Sequence, residues 1–170
     1  MSNMSKILQI GEKVLREKAN EVKIKDIPSK EIQRIIKGMS ESLSKEYDGV
    51  AIAAPQIGYT KRIFIISDKI FSIGKKNTKL VYINPKLVSL SKESVSLDEG
   101  CLSVRWKYGK VKRRKKVKIE AYDEGGKKFQ RGASGLLAQI FQHEIDHLNG
   151  ILFVDKAKDL IEYKPEDLTN

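Results

Sequence analysis

A chain of 170 residues that is 40% hydrophobic and 32% charged is long enough for one hydrophobic core and too apolar to stay unfolded. Its formal net charge of +11 attracts polyanions, and its single cysteine excludes an internal disulfide, leaving a buried apolar group, a nucleophile or a metal ligand. No long apolar run opens the chain, so neither a signal peptide nor a membrane span is expected, and residues 1–170 read as one cytoplasmic domain.

In chain order, "EKVLREKA" at 12–19 reads as a short helix, and residues 29–47 as a longer one opened by Ser29 after Pro28. Within the second, Ile32, Ile35, Ile36, Met39 and Leu43 recur at three and four residues and give one core-facing stripe. A strand-rich middle follows in "GVAIAAPQIG", "KRIFIISD", "KLVYINPKLVSL" and "ESVSLDEGCLSV". The segment "KKVKIEAYDEGGKKFQRGA" alternates sides and turns at Asp123 to Gly126, a hairpin pattern. Ser134 is then expected to cap a last helix, "GLLAQIFQHEIDHL", which stops at Asn149-Gly150. The densest basic run, 107–118, lacks interleaved aromatics, and both a solvated hairpin and a nucleic-acid patch fit it.

Both histidines of the chain, His143 and His147, lie four apart in that last helix, with Glu144 directly after the first. Residues four apart share a helix face, so both imidazoles can reach one metal ion while Glu144 serves a water beside it. A third ligand is needed and no histidine remains. Glu162 or Glu166 downstream would make a small zinc peptidase, although Pro165 weakens a supporting helix there. Cys101, whose thiolate suits zinc or iron, is the other candidate and the favoured one.

Three segments together resemble the peptide deformylase family: "GVAIAAPQ" at 49–56, "EGCLS" at 99–103 and "QHEIDHLNG" at 142–150, in the family's order. The likeness extends to "VLREKA", "INPKL" and "LFVD", and so over nearly the whole chain. It implies an α+β fold in which antiparallel β-sheets pack around a central metal-binding helix, with helices near the N-terminus. It also implies a hydrolase that removes the N-formyl group from the formyl-methionine of new polypeptides and releases formate. Carried over by position, Cys101, His143 and His147 would bind a divalent ion, Fe²⁺ in the cell with Zn²⁺, Ni²⁺ or Co²⁺ in purified protein, and a water would complete the coordination. Glu144 would be general base and acid, with the Gln56 side chain and the Leu102 N–H holding the oxyanion. Val50, Leu97, Leu136 and Ile140 would wall the methionine pocket, and backbone near Ala51 and Gly100 would pair with the substrate chain.

Two positions depart from the family pattern: Ala51 replaces a glycine, and Arg105-Trp106 follows "CLSV" where proline is usual. If position 51 needed a positive φ, alanine there would cost about 1 kcal/mol. The long C-terminal helix that docks some members on the ribosome is expected to be short or absent. A monomer in transient contact with ribosome or rRNA through the basic run 107–118 is the remaining expectation.

Overall fold

A computed structural model describes residues 6–71 and 80–163. Its elements are α1 (Lys30–Ser44), β1 (Ala51–Ala53), β2 (Ile63–Ile66), β3 (Val81–Leu90), β4 (Ser94–Cys101), β5 (Val104–Arg114), β6 (Lys116–Tyr122), β7 (Lys128–Ser134), α2 (Gly135–Leu148) and β8 (Lys158–Glu162), joined by short 3-10 turns. Five strands form one sheet in the order β1-β2-β3-β6-β7, and three form a second, β4-β5-β8, every pairing antiparallel. The α+β architecture expected from the sequence is the one observed.

The first sheet is covered on both sides, which explains why β1 and β2 are apolar without alternation. Ala51, Ala53, Phe64 and Ile66 face α2, packing with Phe141, Ile145 and Leu148. Ile52, Ile63 and Ile65 face the stripe Ile32, Ile35, Ile36, Met39 and Leu43 of α1. Each such large side chain, once buried, contributes about 1.5–3 kcal/mol. Ser29 caps α1 as expected, its hydroxyl accepting from the Ile32 N–H at 3.4 Å. The helix ends at Ser44 rather than at residue 47, because Glu46 and Gly49 turn back to bond the carbonyls of Leu43 and Glu46.

Two local expectations need correction, and one condition left open is not met. The helix expected at 12–19 shrinks to a 3-10 turn, Lys13–Arg16, since only Leu15 is anchored in the core and the Ala19 N–H is drawn to the Leu148 carbonyl at 2.9 Å. Ser134 stands at the N-cap position of α2, but its side chain makes no capping bond. Ala51 sits in an extended strand without a positive φ, so no glycine-type backbone is asked of it. The hairpin turning at Asp123 is as read: its carboxylate accepts from the N–H groups of Gly125 and Lys127 at 3.0 and 2.9 Å.

The helix α2 is buried on nearly all sides, polar residues included: Gln142, Glu144, Asp146 and His147 are each at most 9% exposed. Buried polar groups persist where partners or function hold them. None of the described helices is long and apolar enough to cross a membrane.

Candidate metal centre

Cys101 ends β4 and enters the tight Leu102-Ser103 turn into β5, which brings its sulfur against α2. Its Sγ lies 3.2 Å from His147 Nε2, and the two imidazoles stand edge to face with ring centroids 4.9 Å apart. One ligand atom from each of Cys101, His143 and His147 falls within 4.8 Å of the others. In a tetrahedral site with ligands at about 2.0–2.3 Å from the ion, donors stand about 3.3–3.8 Å apart, so the set is open by about an ångström at its widest. Modest side-chain rotation would close the three on one ion.

The outer bonds set the inner ones. His143 Nδ1 lies 2.9 Å from Glu99 Oε2, and since a carboxylate only accepts, Nδ1 carries the proton and Nε2 is left for a metal. Glu99 is gripped in turn by Arg113, Nε at 2.6 Å and Nη2 at 2.9 Å, whose Nη1 reaches Asp146 Oδ2 at 2.6 Å. Lys156 closes this buried chain on Asp146 at 2.7 Å. Burial pushes the Glu99 carboxyl up, but the hydrogen bonds from Arg113 and His143 outweigh it and hold it at about 2.

Burial likewise pushes the Cys101 thiol up, yet the histidines beside it win and bring it to about 5, so the sulfur is a thiolate at neutral pH. Burial would lower His143, while Cys101 and Glu99 raise it well above its ordinary value. A thiolate paired with a protonated imidazole is a site in which a cation can replace the proton. Glu144 is raised, chiefly by burial against the counter-pull of both histidines, and its Oε2 has no protein partner. His147 Nδ1 is the other buried polar atom without one among the described residues. This donor set, with a free carboxylate oxygen beside it, fits a metal and a water better than it fits a filled core.

Gln56 is 1% exposed and fixed at both ends of its amide, Oε1 accepting from the Ala53 N–H at 2.8 Å and Nε2 donating to Ser103 Oγ at 3.0 Å. With Leu102, Glu144 and His143 it lines a cavity of about 400 Å³. Val50, Ala51, Gly100, Leu136 and Ile140 line the same cavity. Leu97 does not: it shares the strand face of Glu99 but sits two residues further from the turn, opposite Val111. Gly100 belongs where it is because a Cβ there would meet the Tyr108 ring at 2.7 Å.

Glu162 lies in β8 with its carboxylate 3.8 Å from Lys107 Nζ, outside the ligand cluster, and Glu166 is outside the described residues. The cysteine candidate is therefore the one that meets the histidines. Missed from the sequence were the Glu99–Arg113–Asp146 chain and the cavity wall of Arg105, Trp106 and Tyr108. Arg113 was hidden in the basic run, though Val111 two places earlier marks its position as inward-facing.

The chain matches the family model described as "Polypeptide deformylase" over residues 4–162. It is 41% identical over 151 residues to "Peptide deformylase 2" of Clostridium acetobutylicum, covering 89% of this chain and 93% of that protein. Against a "Peptide deformylase" of Fusobacterium nucleatum it is 42% identical over 163 residues, covering 94% and 89%. Among solved structures, a peptide deformylase from Legionella pneumophila superposes with a TM-score of 0.81 at 38% identity, over 92% of this chain and 87% of that one. One from Synechococcus elongatus in complex with actinonin gives 0.79 at 34%, over 94% and 82%.

Proposed function

This chain belongs to the polypeptide deformylase family, hydrolases that remove the N-formyl group of new polypeptides, and we propose that Cys101, His143 and His147 hold its divalent ion and that Glu144 moves the protons. The observation that carries this reading is the convergence of the three ligand atoms beside the unpartnered Glu144 Oε2. A divalent ion in this set supplies Lewis acidity and makes water more acidic, less so than with three neutral imidazoles because the thiolate cancels one charge. We take Fe²⁺ as the cellular ion, with Zn²⁺, Ni²⁺ or Co²⁺ as substitutes in purified protein, on the softness of the thiolate and imidazole donors.

Glu144, raised by burial, accepts the proton of the attacking water as its oxygen adds to the formyl carbon. Charge gathers on the formyl oxygen, where the Gln56 amide and the Leu102 N–H are the donors, each worth about 3–4 kcal/mol when pre-placed. Glu144 then passes its proton to the nitrogen, the C–N bond breaks, and formate and a free amine leave. Strands β1 and β4 are each the outer strand of their sheet, so an extended peptide can pair between Ala51 and Gly100 while its methionine enters the pocket of Val50, Leu136 and Ile140. Main-chain pairing suits an enzyme that meets many sequences.

Residues 1–170 would form one catalytic domain, a monomer working in the cytoplasm on N-formyl-methionyl nascent chains. Contact with ribosome or rRNA through 107–118 narrows to fewer side chains than the run suggests: Lys107 pairs with Glu162, Lys110 with Asp98, Lys115 with Glu93, and Arg113 is buried. Lys112, Arg114, Lys116 and Lys118 are left facing outward. Unchanged cosedimentation with ribosomes after changing these four to Glu would remove that contact.

Anaerobic purification with metal analysis, followed by formate release from a formyl-methionyl peptide, tests the site. Near-stoichiometric metal and release by wild type, with metal retained and release lost in Glu144→Ala, is expected. Bound metal without release in wild type would sink the reading.

A further inference from the structure

The cleft between β1 and β4 separates two different sheets, and its deep end is held by α2. Arg105 spans its mouth. Arg105, at the start of β5, donates through Nη1 to Asp48 Oδ2 at 2.9 Å and Oδ1 at 3.3 Å, and through Nη2 to Glu46 Oε2. Its side chain is 25% exposed, against 28% for Glu46 and 35% for Asp48, so this is a half-sheltered forked network rather than a solvated pair.

The far side of the clasp is the segment that delivers β1. Residues Glu46 to Val50 otherwise bond to their own side of the cleft: Lys69 Nζ to the Glu46 carbonyl at 3.5 Å, Ser67 N–H to the Val50 carbonyl at 2.8 Å. On the near side, Trp106 holds a left-handed φ of 68°, which a bulky residue adopts only when its surroundings enforce it. Arg105 pins it from one end, and the Tyr163 N–H binds its carbonyl at 2.7 Å from the other. Asp48, Arg105 and Trp106 all line the cavity, outward of the metal ligands.

We propose that Arg105 is a positioning residue that sets the width of the cleft mouth, and so determines how well the enzyme binds the substrate residues that follow formyl-methionine. The proposal rests on the deformylase reading above. If that reading failed, wild type would release no formate from any substrate, an outcome separate from those below.

The test compares KM and kcat for formyl-methionine amide and for a formylated tripeptide amide in the metal-loaded enzyme. For Arg105→Ala the ratio of the two KM values, tripeptide over amide, is expected to rise roughly fivefold, the upper size of a partly exposed ion-pair network. The loss should fall on tripeptide KM and not on kcat. Arg105→Lys, which keeps charge but not the fork, should recover only part of it. A Glu46→Gln/Asp48→Asn double variant, which leaves Arg105 in place, should reproduce the Arg105→Ala ratio without adding to it in the combined variant. An unchanged ratio in both the Arg105→Ala and Glu46→Gln/Asp48→Asn variants, or a KM rise equal for the two substrates, would overturn the proposal.

Discussion

The side chains that decide this site are polar groups that the core can tolerate only in combination. Arg113 shows this: 3% exposed, it satisfies Glu99 and Asp146 at once. Replacing it with Ala would leave Glu99 with His143 and Asp146 with Lys156 as their remaining partners in a buried setting, and a loss of about 3–5 kcal/mol is expected in denaturant melts. The same chain predicts acid behaviour. A carboxyl whose folded pKa is depressed stabilises the protein above its unfolded value and loses that contribution as pH falls toward the folded value. Glu99, at about 2, should therefore give stability that holds down to the ordinary carboxylate range near 4.5 and declines from there toward 2. An Arg113→Met variant, lacking the partner, should show a shallower decline in melting temperature over that window. The two histidines and Glu144 were legible in the sequence because their chemistry is rare and their spacing local, while Cys101, far upstream, was favoured over Glu162 and Glu166 for its thiolate alone. Glu99 with Arg113 was not legible, because the pair forms only when β4 and β5 align, and a lysine-rich run conceals which cation turns inward.

At the scale of elements, the last helix was readable to its final residue because its stop signal has a physical requirement. Gly150 has φ of 74°, and a Cβ there would collide with the Arg16 carbonyl oxygen of the passing N-terminal segment. Gly150→Ala is expected to cost at least 1–2 kcal/mol, roughly 2–8 °C in melting temperature for a chain of this size. Metal content should drop with it, since the helix end carries His147. The short helix at 12–19 was misread for the converse reason: its residues favour helix, but tertiary bonds to Leu148 and the docking of Leu15 decide otherwise. The strand at 83–87 carries another positional device. Asn84, φ 50°, bonds the Val22 backbone through both ends of its amide at 2.8 and 2.7 Å, which explains the asparagine of "INPKL".

Across the whole molecule, the three proposed ligands do not belong to one layer. Cys101 comes from the second sheet, while both histidines come from a helix packed on the first. A metal bound there ties the two sheets together and stabilises the folded state by mass action, about 4 kcal/mol when free metal is a thousand times its Kd. Chelation should lower the melting temperature and return it on refilling, and amide exchange should quicken in the β4–β5 hairpin before it does in α1. No change in melting temperature on verified metal removal would refute this coupling. The α+β class was expected from the family resemblance; alternation and turns alone gave a strand-rich middle and one hairpin, not which strand joins which sheet, because that depends on which strands find each other beyond the hairpins.

The thiolate at about 5 has one more consequence, visible only when the ion is gone. If Cys101 holds the ion as proposed, a sulfur so acidic would be coordinated and quiet while loaded, yet an open nucleophile on the cavity wall once bare. Because Cys101 is the chain's single cysteine, one equivalent of an alkylating reagent would count empty molecules directly, by a mass shift on intact protein. The enzyme carries its own occupancy meter, and peroxide would read the same meter irreversibly in the end, by oxidising that sulfur past recovery.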